Sequence, residues 1–305
     1  MNIAYFGNGL RGIKCLLSLI EAGFKPLAVV AEPKHTGDGS LFSMAQRLDI
    51  PTYAPQNVNS TRFINILKSL SLDLMILSGF TKILKKDILA IPHKGTINLH
   101  GGKLPQYRGG SPINWQVING ETTGGCTVLY VDEGIDTGDI IEERLYPIGA
   151  NETAGEIISK TLAIFQEILV NAVTHIDSST LKTTKQNLQE GAYYCKRYPK
   201  DGKINWALMR ASDVHNLVRG LNGEGLPGAF TSLNDEKITI WKTVLLERTI
   251  ISVPGNIALK HRDGIVVMCK DRCILVLEIK KDGLNDVLKP SAMPFSYFAR
   301  KTFDS

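Results

Sequence analysis

Residues 2–31 read NIAYFGNGLRGIKCLLSLIEAGFKPLAVVA. Residues 2–6 alternate and are rich in strand-forming side chains, which predicts a short strand, and the apolar spacing of Ile13–Ala22 predicts a helix that Gly23 ends. Lys25–Ala31 is an almost continuous apolar run, as in strands that are buried on both faces of a sheet. The stretch therefore predicts a βαβ unit, the building block of a parallel sheet.

The same alternation continues along the chain. Helices are predicted over Phe42–Leu48, Arg62–Leu70, Lys85–Ala90, Pro112–Asn119 and Ala154–His175, and strands over Pro51–Tyr53, Leu72–Leu77, Thr96–His100, Gly125–Val131 and Asp139–Pro147. Strands that alternate with helices at this spacing indicate an α/β fold with a doubly wound, Rossmann-like, mostly parallel sheet.

The C-terminal third has a different pattern. A helix predicted over Ala211–Leu221 is followed by five short strands with turns between them: Ala229–Leu233, Lys237–Val244, Ile257–Lys260, Gly264–Cys269 and Cys273–Lys280. This pattern is typical of a small, OB-like β-barrel. Residues 181–200 are polar and basic, which predicts a surface linker. We therefore expect a first domain over 1–180, a linker over 181–200 and a barrel domain over 201–305.

Composition sets broad limits on function. The 305 residues are 43% hydrophobic and 21% charged, with a net charge of +5, which is ordinary for a soluble globular protein and too mild to indicate nucleic acid by itself. No apolar run reaches the roughly 20 residues that span a bilayer, and the N-terminus does not resemble a signal peptide. The five cysteines are scattered, and Cys269 and Cys273 have only His261 nearby. We expect a cytoplasmic protein without a metal site.

Gly7-x-Gly9-x-x-Gly12 lies between the first strand and the first helix, and Glu32 follows the second strand. This spacing fits the fingerprint of dinucleotide-binding proteins. Its physical content is narrower, because glycines let any anion approach a helix N-terminus, and Arg11 adds a cation. Nicotinamide dinucleotide, another phosphate ligand and a merely tight turn all remain open for this motif.

Polar and glycine-rich residues follow the strand Thr96–His100, with Asn98 and His100 on the same face of that strand. Asp136 lies in a turn between two later strands that could bring it beside them. A carboxylate orients an imidazole and favours its charged form, and an amide can donate to a developing oxyanion. With no Ser or Cys placed as a nucleophile, this set suits direct acyl transfer to an amine.

Several motifs in register resemble the formyltetrahydrofolate-dependent formyltransferase family. In the N-terminal part, to about residue 180, they are Asn98-x-His100, Leu104-Pro105-x-Tyr107-Arg108-Gly109, Gly125-Cys126-Thr127-Val128 and Asp136-Thr137-Gly138. The tail is similar to the barrel domain of methionyl-tRNA formyltransferase, and to the tail of the formyltransferase part of the UDP-4-amino-4-deoxy-L-arabinose enzyme. The matching residues are Tyr198-Pro199-x-Asp201-Gly202-x-Ile204-x-Trp206, His215–Arg219 and Pro227–Phe230.

The resemblance implies roles for the site residues and names the co-substrate, N10-formyltetrahydrofolate. His100 would transfer protons, Asn98 would stabilise the tetrahedral oxyanion, and Asp136 would raise the pKa of His100. The main chain of Lys82, Ile83 and Leu84 would bind the pterin of the folate. The other side of the pterin would be closed by Asp132, Glu133, Gly134, Ile135 and Asp136.

The family divides by the amine that is formylated. The methionyl-tRNA enzyme carries a long basic insertion after the second strand, whereas Pro33–Asp49 is short and balanced in charge. Pro51–Asn59 resembles the amino-arabinose enzyme, although that enzyme has an arginine where this chain has Gly110. We therefore expect a UDP- or dTDP-linked amino-sugar nucleotide as acceptor, with methionyl-tRNA as the alternative. Acceptor contacts are expected from Gly9, Arg11, Tyr107 and Arg108.

Two other classes of function are weaker. A nicotinamide-dependent oxidoreductase would leave the Asn98, His100 and Asp136 cluster unexplained, and a non-catalytic binding module would bury a polar cluster without a use. We expect no membrane partner, and a nucleic-acid partner only if tRNA is the acceptor. The sequence leaves a homodimer open, as it does the choice of sugar.

Overall fold

The computed structural model describes residues 1–247, 249–283, 286–294, 298 and 301–304. Its first sheet has seven strands in the order β3-β2-β1-β4-β5-β7-β8. The strands are β1 (Ile3–Gly7), β2 (Ala28–Val30), β3 (Thr52–Tyr53), β4 (Leu74–Ser78), β5 (Thr96–His100), β7 (Thr123–Tyr130) and β8 (Ile140–Pro147). β1 to β5 are parallel, and β7 pairs antiparallel with β5. This confirms the Rossmann-like, mostly parallel sheet.

Helices connect these strands because apolar residues at helical spacing need a sheet face to cover. They are α1 (Gly9–Glu21), α2 (Leu41–Arg47), α3 (Thr61–Ser69), α4 (Lys86–Leu89), α5 (Pro112–Ile118) and α6 (Ala154–Asp177). Phe6, Leu77, Phe63, Leu67 and Ile88 belong to one buried cluster, which joins β1 and β4 to α3 and α4. The predicted helices are all present, with ends that shift by a few residues.

By length and composition alone, α6 could cross a membrane, and it is the one helix of the described residues that passes this test. Its side chains Phe165, Ile168, Leu169, Ala172 and Val173 are buried within the protein. This is the pattern of a core helix in a globular domain.

The C-terminal region is an antiparallel sheet in the order β10-β11-β14-β13-β12. Helix α7 (Ala211–Gly220) precedes β10 (Ala229–Leu233), β11 (Glu236–Leu245), β12 (Ile257–His261), β13 (Gly264–Met268) and β14 (Cys273–Lys281). Bridges from Asp304 to Ser232 and from Thr302 to Asn256 connect the chain end to both edges of the sheet. The predicted all-β tail is therefore confirmed, and its two edges share the closing segment that a small barrel requires.

Two three-residue strands were not predicted. β6 (Tyr107–Gly109) and β9 (Ala192–Tyr194) pair in parallel as a separate small sheet. Both lie in segments that are too short and too rich in turn residues to show a period of two. Part of residues 181–200 therefore pairs through its backbone with Tyr107–Gly109.

The chain forms two compact units that interleave in sequence. One consists of Met1–Pro112, Gly125–Tyr146 and Lys160–Tyr194, and the other of Ile113–Gly124, Pro147–Ser159 and Cys195–Ser305. Within the second unit, Asn114 donates to the Gly220 carbonyl at 2.7 Å, and Arg219 donates to the Gly149 and Glu152 carbonyls. Such long-range contacts have no local sequence signal, so the sequence could not predict the interleaved units. The division into continuous domains over 1–180 and 201–305 remains a proposal.

Candidate active site

Asn98 and His100 lie at the carboxyl end of β5, where the sheet changes from parallel to antiparallel pairing. Leu99 pairs with Ser78 of β4 on one side, and His100 pairs with Thr127 of β7 on the other. Because side chains alternate along a strand, Asn98 and His100 share a face, and Leu99 points into the core. A ligand site at the carboxyl ends of strands is the usual location in open α/β sheets.

His100 is 5% exposed and has an oxygen acceptor opposite each ring nitrogen. Nε2 lies 2.6 Å from the Tyr107 carbonyl oxygen, and Nδ1 lies 3.4 Å from Asp136 Oδ2. A carbonyl can only accept, so Nε2 must carry the proton of that hydrogen bond. A second proton on Nδ1 would face the Asp136 carboxylate, which favours the charged imidazole. Nδ1 is therefore the ring nitrogen that can take up a proton and release it.

Asp136 is the carboxylate that completes the cluster. The main-chain N–H of Gly109 donates to Oδ2 at 2.9 Å, and Asn98 Nδ2 donates to Oδ1 at 3.4 Å. Asp136 has a φ of +54°, in the left-handed region that costs a non-glycine residue about 1 kcal/mol. The turn is held locally by Asp132, whose Oδ1 accepts from Gly134 N and Thr137 Oγ1. The structure thus brings together the three residues predicted from spacing.

Gly102 lets the loop after β5 approach the imidazole. A Cβ atom at this position would lie 2.7 Å from His100 Nε2 and 2.6 Å from the Tyr107 carbonyl oxygen. Neither distance is compatible with a real side chain. The glycine therefore leaves room for the His100 to Tyr107 hydrogen bond.

The segment after β4 contains the residues expected to bind the pterin. The side chain of Asn59 holds the backbone of this segment. Asn59 Nδ2 donates to the Ile83 carbonyl at 2.9 Å, and Oδ1 accepts from Lys85 N at 2.8 Å. In the part of the chain that the structure describes, the main-chain groups of Lys82 and Leu84 have no partner. Those groups fit a hydrogen-bonding heterocycle.

A second loop, Asp132 to Asp136, lies beside this segment. Lys86 Nζ lies 3.8 Å from Glu133 Oε1, which connects the two loops across an ion pair. Ile83 and Ile135 are 73% and 47% exposed, one on each loop. Exposed apolar side chains beside free backbone polar groups fit a flat, mostly aromatic ligand such as a folate.

Glu32, the acidic residue of the dinucleotide fingerprint, is buried and fully engaged inside the protein. Its Oε1 accepts from Asn8 Nδ2 at 3.0 Å, from Thr81 N at 2.9 Å and from Thr81 Oγ1 at 2.7 Å. Burial by itself raises the pKa of Glu32, but the two Thr81 hydrogen bonds and nearby Lys34 outweigh burial and leave that pKa below its ordinary value. The carboxylate therefore braces the β4 loop and is not directed at a ribose.

Gly9 and Arg11, expected to contact the acceptor, lie at the N-terminus of α1. Gly9 is exposed with a φ of +65°. Arg11 is half-buried, with its guanidinium carbon 4.7 Å from the centre of the Phe165 ring. Burial lowers the pKa of Arg11, and no carboxylate of the described residues pairs with it. Its charge is therefore not neutralised by any of those carboxylates.

Tyr107 and Arg108 have roles within the protein as well. The Tyr107 ring is buried and stacks on Tyr194 at a centroid distance of 4.9 Å, so it is the carbonyl that meets the site. Arg108 Nη2 donates to the Leu188 carbonyl at 3.3 Å, and its Nε is buried without a partner in the described chain.

Sequence reasoning missed four contributors to this site: the Gly109 amide, the Tyr107 carbonyl, Asn59 and Gln186. The first two are backbone groups and have no residue signature. Asn59 and Gln186 reach the site loops from segments 24 and 50 residues away along the chain. Only the Asn-rich run before α3 offered a local signal.

Comparisons with known proteins match both the N-terminal and the C-terminal parts of the chain. The family described as formyl transferase matches residues 17–173, and its C-terminal domain matches residues 196–288. A methionyl-tRNA formyltransferase of Clostridioides difficile (strain 630) is 36% identical over 287 residues, 92% of each chain. The bifunctional polymyxin resistance protein ArnA of Wigglesworthia glossinidia brevipalpis is 34% identical over 287 residues, which cover 92% of this chain and 43% of that protein.

Among solved structures, an N-formyltransferase from Helicobacter canadensis has a TM-score of 0.71 at 21% identity. The match covers 91% of this chain and 99% of that one, whose crystal contains folinic acid and dTDP-3-aminofucose. At this identity the likeness shows a shared fold.

Proposed function

This chain belongs to the formyl transferase family, and we propose that the amine it formylates is carried by an amino-sugar nucleotide. As a family member it is a formyltetrahydrofolate-dependent transferase. The acceptor has to be argued from the chain itself, because relatives that act on different amines share the fold.

The observation that carries the proposal is the charge pairing in the segment after β2. Here Pro33–Asp49 forms a short turn and α2, and its two lysine or arginine side chains both face carboxylates. Lys34 Nζ lies 3.8 Å from Glu32 Oε2, and Arg47 Nη2 lies 2.6 Å from Asp38 Oδ1. A surface that binds tRNA needs cations free to neutralise phosphates. Paired cations on a short segment suit a small acceptor better.

The site has a place for the anionic part of such an acceptor. Gly9 opens the N-terminus of α1, where backbone N–H groups attract an anion. Arg11 adds a cation that no carboxylate of the described residues neutralises. We assign the nucleotide phosphates to this corner, and Arg108 to the acceptor side of the catalytic loop. The crystal of the Helicobacter canadensis enzyme contains a dTDP-linked amino sugar, so the fold accommodates that class of molecule.

N10-Formyltetrahydrofolate supplies the activated formyl group. The Lys82 and Leu84 main chain would hold the pterin by hydrogen bonds, with Ile83 and Ile135 against its faces. Asp132, Glu133 and Gly134 would close the pocket from the second loop. Positioning both substrates in this way supplies a large part of the rate of a direct transfer.

The three clustered side chains would then handle charge and protons. The Asn98 amide donates to the formyl oxygen as negative charge develops on it, a contribution of about 2.7–4 kcal/mol for one such donor. As the amine nitrogen bonds to the formyl carbon, the bond from that carbon to N10 of the folate breaks. His100 Nδ1, the ring nitrogen that does not donate to the Tyr107 carbonyl, receives the proton of the amine beside Asp136, and the proton passes to the departing N10. Asp136, 3.4 Å from Nδ1, keeps the ring oriented and stabilises its charge.

The test is formylation of a panel of UDP- and dTDP-linked amino sugars beside methionine-charged initiator tRNA. We expect turnover with at least one amino-sugar nucleotide and little with tRNA. The control is Asp136→Ala, which should remove turnover with every acceptor. Turnover on tRNA alone would reverse the assignment of the acceptor but not that of the chemistry.

Methionyl-tRNA is the second candidate acceptor, and a specific observation favours it. The methionyl-tRNA formyltransferase of Clostridioides difficile matches 92% of both chains at 36% identity. The exposed residues Lys182, Lys185, Lys196 and Lys200 also form a short basic stretch. The paired cations of the segment after β2 argue against tRNA. The choice between the two acceptors does not affect the formyl-transfer chemistry.

We also propose a cytoplasmic location. All five cysteines are free, as is usual in a reducing compartment. A small-molecule acceptor requires no membrane or nucleic-acid partner, and a homodimer is compatible with this function.

A further inference from the structure

Residues 184–194, here called the strap, leave the polar segment after α6 and lie along the catalytic loops. The strap is fixed at its start by two backbone hydrogen bonds of 2.8 Å between Thr184 and Ile140. It is fixed at its end by β9, which pairs with β6, and by the Tyr194 carbonyl, which accepts from Gly110 N at 2.8 Å. Gln186 lies between these two anchors.

Gln186 donates both protons of its side-chain amide to the turn that carries Asp136. Nε2 lies 3.0 Å from the Asp136 carbonyl oxygen and 2.7 Å from the Gly138 carbonyl oxygen. Its Oε1 is buried and has no partner in the described chain. The contact therefore consists of two donated hydrogen bonds, and no acceptor role of Gln186 competes with it.

The two hydrogen bonds from Gln186 stabilise a turn whose backbone conformation is strained. Asp136 has a φ of +54°, and such backbone conformations persist only when their surroundings hold them. Its carboxylate must stay within reach of His100 Nδ1, 3.4 Å away, and of Gly109 N, 2.9 Å away. Two hydrogen bonds to the backbone of the turn restrict where that carboxylate can lie.

The strap holds the other partner of His100 as well. The Tyr107 carbonyl accepts from His100 Nε2, and the Tyr107 ring stacks on Tyr194 with its plane inclined by 10°. Ala192 N also donates to the Gln106 carbonyl at 3.3 Å. One segment thus fixes the oxygen opposite each ring nitrogen of His100.

We propose that Gln186 is a positioning residue for formyl transfer, which acts by holding the Asp136 turn against His100. The proposal rests on the proposed roles of His100 and Asp136 in moving protons. Gln186 touches neither substrate in this assignment, so its loss should lower kcat while substrate binding is kept.

The first test compares Gln186→Ala with Gln189→Ala, an exposed glutamine of the same strap whose side chain makes no hydrogen bond in the described structure. A misplacement of about 1 Å can cost about 100-fold in rate. We expect Gln186→Ala to lower kcat by roughly 10- to 100-fold with both KM values within about twofold of wild type. Gln189→Ala should behave as wild type. Equal kcat in the two variants would overturn the proposal.

Gln186→Glu provides a variant of the same size, so that loss of packing cannot explain the result. It places an acceptor against two carbonyls, and we expect a loss of kcat at least as large as that of Gln186→Ala.

Hydrogen–deuterium exchange gives a readout that needs no acceptor. In Gln186→Ala we expect faster exchange over residues 107–110 and 134–139, with β4 and β5 unchanged. If wild type formylates none of the acceptors offered, the proposed function fails, and exchange still decides the role of Gln186. Unchanged exchange over both loops would overturn it.

Discussion

At the scale of single residues, the proposed catalysis depends on which groups face the two ring nitrogens of His100. The Tyr107 carbonyl faces Nε2 at 2.6 Å and the Asp136 carboxylate faces Nδ1 at 3.4 Å. In the proposed mechanism the ring exchanges its proton through Nδ1, because Nε2 donates to the Tyr107 carbonyl. Asn98, two residues earlier on β5, directs an amide to the same face. The proposed mechanism gives each side chain of the cluster a separate task.

Replacing His100 or Asp136 by alanine should remove nearly all turnover and leave the binding of N10-formyltetrahydrofolate in place. Asn98→Ala should lower kcat by about 10²–10³-fold, the usual loss for one oxyanion donor. Steady-state kinetics and folate binding, followed by fluorescence, measure both effects. His93→Ala, an exposed histidine before the same strand, is the control. Near-wild-type turnover in the His100 or Asp136 variant would refute the assignment.

Gly102→Ala should impair the chemistry without touching a substrate. The added methyl would lie 2.7 Å from His100 Nε2 and 2.6 Å from the Tyr107 oxygen, so one of them must move. We expect kcat to fall by at least about tenfold, since proton transfer depends on this geometry. Gly37→Ala, where a Cβ meets nothing within 4 Å, is the matched control. Equal kcat in the two variants would show that the hydrogen bond is dispensable.

At the scale of elements, the strand ends and the loops that follow them differ in how far they could be predicted. Thr96–His100 and Ala229–Leu233 were predicted with their observed ends, because a buried strand between turn residues has a strong local pattern. β6 and β9 were missed, since a three-residue pairing across 85 residues leaves no period to detect. The Asn98, His100 and Asp136 set was predictable because strand order brings the ends together. Gln186 was not, because its contacts are tertiary.

Asn59 and Glu32 hold the loop after β4, and the contacts of Asn59 can be removed by one substitution. Asn59→Ala deletes the hydrogen bonds to Ile83 O and Lys85 N. Net losses of roughly 0.5–1.5 kcal/mol per bond, about 1–3 kcal/mol for the two, predict a rise in KM for N10-formyltetrahydrofolate of about 5- to 150-fold, with kcat little changed. Asn65→Ala, exposed on α3, should leave KM unchanged. A fall in kcat alone would place Asn59 elsewhere in the mechanism.

Glu32 also holds the loop after β4, through Thr81, and should make the stability of the fold depend on pH. Because its pKa is lower in the folded chain, Glu32 adds stability that is fully present above its unfolded pKa of about 4.3. That stability is lost as the pH falls through the lower folded value. Glu32→Gln keeps an acceptor for Thr81 but does not titrate. We expect its melting temperature to be below wild type at pH 7 and to converge with wild type in acid, as thermal unfolding at several pH values would show. A constant difference would argue against the linkage.

At the scale of the whole molecule, one fold carries a fixed chemistry and a variable acceptor. The formyl transferase domains cover 17–173 and 196–288, and the catalytic cluster lies within the first of them. The proposed acceptor rests on the segment after β2, where Lys34 and Arg47 are paired with carboxylates. A family match alone could not separate the acceptors, since relatives named for tRNA and for polymyxin resistance match at 36% and 34% identity.

The acceptor is decided by kcat/KM for a UDP- or dTDP-linked amino sugar against kcat/KM for methionine-charged initiator tRNA, measured with one enzyme preparation at low and high salt. We predict a ratio that favours an amino-sugar nucleotide by at least about 100-fold, as expected when a site is built for one substrate's polar groups. The dependence on salt should be shallow. A ratio that favours tRNA, with kcat/KM falling steeply as salt displaces the phosphate contacts, would contradict the proposed acceptor.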